Sequence, residues 1–353
     1  MTKLTGRGAT NNTASVRFNL PVREADGDWL DDRDVVDGRP ARLKTTVTEL
    51  SAKTIISRNT SPDVPFDRSI NSYNGCEHGC VYCFARPTHA YHDLSPGLDF
   101  ETRLFAKPDA ARLLRHELAA RTYKPAPIAM GTNTDPYQPI ERHYRLTRQV
   151  LEVCAEMRHP VTITTKSARV CEDIDLLAAM ARDNLVAVSI SVTSLDTRLS
   201  ATLEPRASTP EKRLAAIAQL ADAGVHVGVN VSPVIPSITD SHLETILMRA
   251  GAAGAVSASW IMIRLPHEVA PLFRAWLQTH FPDRADKVMA TIQSMRSGKD
   301  YDPAFFTRMR PQGVWADLIR TRFRIACERA GIPQTRAVLD CSQFRPPGQL
   351  SLF

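Results

Sequence analysis

The chain has 353 residues, 43% of them hydrophobic, with a formal charge of +6 and a pI of about 9.0. That is enough apolar material for one large domain with additions or for two domains, and it excludes a wholly disordered chain. No apolar run approaches the ~18–20 residues that span a bilayer, which excludes a membrane-spanning helix.

The opening Met1-Thr2-Lys3-Leu4-Thr5-Gly6-Arg7 leads into polar residues rather than an apolar stretch, which predicts a cytoplasmic protein with no membrane partner. The charge permits a polyanionic partner without requiring one. Residues 1–65 read as a polar N-terminal arm, with β-favouring patches at Thr45-Thr46-Val47-Thr48 and Thr54-Ile55-Ile56. From residue 66 a βα rhythm sets in. Strands are expected at Ser69–Tyr73, Pro127–Gly131, Val161–Thr165, Leu185–Val192, Val225–Val231 and Ser257–Ile263. Helical patterns lie between them, at Asp109–Arg121, Thr147–Met157, Thr209–Ala223 and Asp240–Ala250. In the third of these, Thr209 is placed to cap, Pro210 to open and Gly224 to stop the helix. Short apolar strands alternating with helices predict an α/β fold, a partial parallel (β/α)6 barrel over 66–270. A helical C-terminal extension over 271–335 and a flexible tail over 336–353 complete the expected organisation.

Three of the seven cysteines fall within eight residues, in Cys76-Glu77-His78-Gly79-Cys80-Val81-Tyr82-Cys83. An odd cysteine count without an export signal does not suit a disulfide framework. Three thiolates on a short Gly-containing loop can hold three irons of a [4Fe–4S] cubane and leave the fourth iron open. An open iron can chelate the amino and carboxylate groups of a methionine moiety, and an electron can then break its sulfonium bond. Zinc is the alternative, with His78 as fourth ligand, although the second cysteine pair usual in zinc loops is missing.

C-x3-C-x-aromatic-C at the end of the first strand resembles the radical S-adenosylmethionine superfamily, over roughly residues 66–270. The resemblance implies a (β/α)6 barrel, a [4Fe–4S] cluster on Cys76, Cys80 and Cys83, S-adenosylmethionine (SAM) as second cofactor, and a reductant such as flavodoxin or ferredoxin. It places Tyr82 near the adenine. The loop Gly131-Thr132-Asn133-Thr134-Asp135 resembles that of the spore photoproduct lyase-like branch, often labelled DNA repair photolyases, where it approaches the SAM amino group; Thr132, Asn133 and Thr134 are the candidates. By the same resemblance Lys166 pairs with the methionine carboxylate, and Glu204 and Arg206 make polar contacts to the cofactor. Strand alternation puts Ser189 and Ser191 on one face, opposite Val188, Ile190 and Val192. That face can reach the ribose or carboxylate. Val234 follows the fifth strand, where backbone can meet the adenine edge.

The chain departs from the lyase in two places. No cysteine stands in Ile128-Ala129-Met130-Gly131-Thr132, where the lyase has its hydrogen donor, and Phe84 replaces a tyrosine after the third cysteine. Both argue against spore photoproduct reversal. Cys154 and Cys327 fall at core positions of helical patterns.

The last residues, Gln349-Leu350-Ser351-Leu352-Phe353, resemble the peptide by which bacterial repair proteins bind the DNA sliding clamp. The Arg-rich stretch Ile319–Arg329 is then a candidate phosphate contact. The expected function is a SAM-cleaving enzyme that generates a 5′-deoxyadenosyl radical and acts on nucleic acid in a DNA repair-like role. The alternatives are the same chemistry on RNA, protein or a metabolite, or a non-catalytic metal-binding or clamp-binding adaptor.

Overall fold

The computed structural model describes residues 7–18, 35–36, 39–40, 44–333 and 337–346. Twelve strands are found among them. A short antiparallel pair, β1 (Val35–Val36) and β2 (Arg39–Pro40), precedes β3 (Thr46–Glu49), β4 (Ile56–Arg58), β5 (Arg68–Ile70), β6 (Tyr73–Asn74) and β7 (Arg103–Ala106). Then come β8 (Ile128–Met130), β9 (Val161–Thr165), β10 (Val186–Ser191), β11 (His226–Val234) and β12 (Ser257–Met262).

The main sheet has the order β12-β11-β10-β9-β8-β5-β4. Its six strands β5 and β8–β12 run parallel, and β4 adds antiparallel at one edge. Each crossover moves one strand in the same direction, so the sheet curls as a partial barrel; among the described residues no pairing joins β12 to β5. Its outer face packs on helices. Val188, Ile190 and Val229 share one core with Leu177 of helix Ile174–Arg182 and with Leu214 and Ile217 of helix Pro210–Asp222. Cys154 and Cys327 are fully buried in this core. The opposite face is polar. Thr164, Ser189 and Gly228 stand side by side in one row, and Ser191, Asn230 and Ser259 in the next.

A second core sits at the end of the barrel where the cysteines are. Val81 and Tyr82 pack there with Leu203, Ile235 and Ile263, under Phe273 and Trp276 of helix Val269–His280. The Trp276 indole N–H donates to the Thr202 carbonyl at 3.1 Å. The C-terminal helices therefore close over the cysteine loop.

The sequence reading needs three corrections. The strand expected over Ser69–Tyr73 is split, because Asn71 and Ser72 turn away from the sheet: Lys107 donates to both their carbonyls at 3.0 Å, through Nζ and backbone N–H respectively. Its second half, β6, joins a small sheet of order β3-β7-β6. Thr209 occupies the N-cap position with extended backbone, but its side chain makes no capping hydrogen bond. The Arg-rich helix spans Val314–Arg329, and its Arg320, Arg322 and Arg324 are paired with Asp317, Glu244 and Glu328. Of these pairs only Arg322–Glu244 is partly buried, and the other two lie exposed on the helix surface. The segment Gln349–Phe353 lies outside the described residues.

Candidate functional site

The cysteine loop leaves β6 through Gly75, whose φ of +77° lies in the left-handed region that glycine tolerates. Its backbone is pinned from several directions. The Cys76 N–H donates to the Phe100 carbonyl at 2.9 Å and the Val81 N–H to the Leu203 carbonyl at 3.1 Å. Arg86, fully buried, reaches the carbonyls of Cys80 at 2.9 Å and Gly79 at 3.1 Å and pairs with buried Glu101. Glu101 in turn accepts the backbone N–H groups of Gly8 at 3.0 Å and Ala9 at 2.8 Å, which ties residues near the N-terminus to the loop.

All three thiols are free, and Cys76 and Cys80 are each 7% exposed. Burial pushes both thiols up, and neighbouring negative charge, including the other loop thiols, pushes further in the same direction. Such thiols stay protonated unless a cationic centre draws them into thiolates. Among the described residues no group of three or more His, Cys, Asp or Glu side chains is gathered closely enough for one metal ion. His78 is turned to Asp135, Nδ1 to Oδ2 at 3.3 Å, rather than toward the thiols. Three free thiols without a fourth protein ligand suit a cluster with one open iron, whereas a Cys3His zinc site would need His78, which Asp135 engages.

The sequence-predicted residues fall into two groups. One supports the loop. The Thr134 hydroxyl donates to the Gly75 carbonyl at 2.7 Å. The Arg206 guanidinium meets Glu77 at 3.1 Å, and its backbone N–H donates to the His78 carbonyl at 3.2 Å. Glu204 is buried among Arg213, the Tyr82 hydroxyl and the Thr193 hydroxyl, the last at 2.7 Å. Burial alone would raise the Glu204 carboxyl, but the Arg213 and Lys166 charges hold it below its usual value. Thr132 is met by the Asn71 amide at 3.1 Å, and the Asn133 backbone N–H by the Asn71 carbonyl oxygen Oδ1 at 3.0 Å. The Val234 carbonyl accepts from the Ile263 N–H at 3.1 Å.

The other group borders the space between the loop and the polar face. The Lys166 ammonium lies 5.9 Å from the centre of the Tyr82 ring, close enough to act on the Cys80 and Glu204 charges. Ser189 and Ser191 stand on the polar face; the Ser191 carbonyl is held by Arg213 at 3.0 Å.

Sequence reasoning missed the residues that hold this together. Burial would raise Asp135, yet His78, the Thr165 hydroxyl at 2.6 Å and the Lys166 N–H at 2.8 Å bring it down to about 2. Gln138 bridges Glu77 and Thr134: its Oε1 accepts the Glu77 backbone N–H at 2.9 Å, and its Nε2 donates to the Thr134 hydroxyl oxygen at 2.9 Å. The available signal was local: Asp135 and Gln138 belong to the same polar strand-end loop as Thr132–Thr134.

Comparison with known proteins gives a consistent result. Residues 70–250 match the family model of the Radical SAM superfamily. An uncharacterized protein of Mycobacterium tuberculosis is 36% identical over 293 residues, covering 82% of this chain and 83% of that one. An uncharacterized protein of Methanocaldococcus jannaschii is 26% identical over 197 residues, 56% of this chain and 71% of its own. A solved spore photoproduct lyase complexed with dinucleoside spore photoproduct superposes with a TM-score of 0.55 at 15% identity, over 82% of this chain and 80% of that one. Another solved form of that lyase carries bound AdoMet.

Proposed function

The chain belongs to the radical SAM superfamily, whose members use a [4Fe–4S] cluster and S-adenosylmethionine, and from that premise we propose a radical enzyme acting on nucleic acid in a repair-like role. The observation that carries the radical half is the buried three-cysteine loop at the end of the parallel sheet. We assign Cys76, Cys80 and Cys83 as the cluster ligands. The chemistry supplied there when both cofactors are bound is reductive cleavage of the sulfonium bond to methionine and a 5′-deoxyadenosyl radical.

The chain's own residues bind, orient and exclude water. Lys166 is assigned to the methionine carboxylate, because its ammonium lies beside Tyr82 in reach of the loop. Tyr82, Ser189 and Ser191 are assigned to the adenosine, with Asn133 and Thr132 at the amino group and the Val234 backbone at the adenine edge. Glu204, Arg206 and Thr134 act as positioning residues, since each already holds the loop or its neighbours. The second core under Trp276 and Phe273 keeps bulk water from the side of the loop it covers.

Nucleic acid as substrate is supported by the shared fold with an enzyme solved on a dinucleoside lesion and by the resemblance of Gln349–Phe353 to a clamp-binding peptide. Reversal of the spore photoproduct itself is disfavoured by Phe84 and by the absence of cysteine from 128–132. Among the described residues no helix is long and apolar enough to cross a membrane.

The test is reconstituted enzyme with SAM, a reductant, and lesion-bearing or intact DNA. 5′-Deoxyadenosine above the DNA-free background, with a changed base on lesion DNA, is expected; identical yields on every substrate would sink the nucleic-acid reading while leaving the radical chemistry standing. Pull-down of the sliding clamp with and without the last five residues checks the tail. Recovery is expected only with the full chain, and equal recovery would refute that partner.

A further inference from the structure

Beyond the last strand, two arginines are left without acid partners beside the cysteine loop. Arg264 follows β12, and its guanidinium carbon sits 4.4 Å from the centre of the Phe84 ring, the residue after Cys83. Arg296 follows helix Ala285–Ser294 and is only 3% exposed. Its Nη2 donates to the Ile263 carbonyl at 2.6 Å, but its Nε and Nη1 have no hydrogen-bond partner. Arg264 directs Nη1 to the Met309 sulfur at 3.1 Å, a weak acceptor. Among the described residues neither arginine forms an ion pair. The nearby carboxylates are engaged elsewhere: Asp63 takes both branches of Arg308 at 2.7 and 2.6 Å, and Asp300 pairs with Arg274 at 2.7 Å. Asp302 accepts the Ala304 N–H at 3.0 Å and remains an electrostatic neighbour of Arg296 without bonding it.

Buried guanidinium groups normally find carboxylates or oxyanions, because an unpaired donor away from water loses its hydration for nothing. Here the buried Arg296 stands close enough to the half-buried Arg264 for their charges to repel. A structural pin to Ile263 uses one nitrogen of Arg296 and leaves the rest unexplained. We propose that Arg264 and Arg296 form a seat beside Cys83 for a phosphate group of the substrate. A guanidinium presents paired donors that match phosphate oxygens, and the seat lies at the strand end where the radical chemistry is assigned. The surroundings suit a nucleotide. Tyr301 lies under Arg296 at 6.0 Å, and Phe305 is half exposed under Arg308 at 4.9 Å. Exposed rings beside basic groups let bases stack while the backbone phosphate is held. This deepens the nucleic-acid reading and rests on it for the source of the phosphate, a phosphodiester rather than a small phosphate ester.

The experiment measures binding, not turnover. Short labelled single-stranded oligodeoxynucleotides, one with phosphodiester and one with uncharged methylphosphonate linkages, are titrated against the anaerobically reconstituted protein in phosphate-free buffer. The unaltered chain is expected to prefer the phosphodiester by at least about tenfold. That preference is expected to shrink several-fold in Arg264→Gln and in Arg296→Gln, and to be partly kept in Arg296→Lys. If Arg296→Gln does not fold, the half-buried Arg264→Gln decides. Equal affinity of the unaltered chain for the two backbones, or a preference unchanged in the folded variants, overturns the seat. Thymidine 5′-monophosphate is the second arm: arginine-dependent binding of it without binding of either oligonucleotide supports the seat and rejects nucleic acid as its source.

Discussion

Glu204 and Arg213 bury opposite charges directly behind the cysteine loop, with both side chains at most 1% exposed. Removing one partner strands the other, which costs about 3–5 kcal/mol in comparable buried pairs. Arg213→Met is therefore expected to lower stability by that order in urea unfolding; a change within about 0.5 kcal/mol would show the pair to be dispensable. Glu141 makes a different prediction. Burial raises its carboxyl from 4.5 to about 7, against the opposing hydrogen bond from the Tyr73 hydroxyl. A raised carboxyl favours the protonated form in the fold, so below about pH 4.5 it costs nothing, and stability falls as pH rises toward 7. The loss is roughly 3 kcal/mol, at about 1.4 kcal/mol per unit. Unfolding of the unaltered chain at pH 5 and pH 8 should show this fall, and Glu141→Gln should flatten it; parallel profiles would refute the assignment. At this scale the cysteines were legible because their spacing is local. The pairs Glu204–Arg213, Glu101–Arg86 and Asp135–His78 were not, since each joins residues whose proximity only the tertiary fold creates.

Among the elements, the strand–loop junctions decide the site. Gly131 ends β8 with φ of +87°, and a Cβ there would lie 2.0 Å from the Thr164 carbonyl oxygen of β9. Gly224 shares the left-handed backbone, φ +76°, but has open space around it. Gly224→Ala should cost only backbone strain, about 1–2 kcal/mol. Gly131→Ala must also push two parallel strands apart and move the Asp135 loop, so it should cost at least about twice as much and weaken SAM binding. Equal losses in thermal unfolding and unchanged SAM affinity would contradict the close approach. The parallel strands were readable from their apolar runs, β9 to the residue. The split after Ile70 was not, because Ser69–Tyr73 carries a continuous strand-like pattern. What breaks it is Lys107, more than thirty residues away. Helix Val314–Arg329 was legible as Arg-rich, but its carboxylate partners, Glu244 among them, were not.

At the level of the whole molecule, a parallel half-barrel presents a polar face, a three-cysteine loop closes one end, and the C-terminal helices cover that loop with a second core. Radical chemistry needs such an enclosure, because a primary carbon radical abstracts hydrogen from whatever it meets. The proposed phosphate seat at Arg264 and Arg296 lies at the same end, beside Phe84. All of this rests on the cluster ligands. The most direct test is anaerobic reconstitution with iron and sulfide, followed by reduction in the presence of SAM. The unaltered chain should bind about four irons and four sulfides and release 5′-deoxyadenosine, while Cys76→Ser, Cys80→Ser and Cys83→Ser should each lose both. One tightly held zinc per chain with no 5′-deoxyadenosine, or full iron content and cleavage in all three variants, would contradict it.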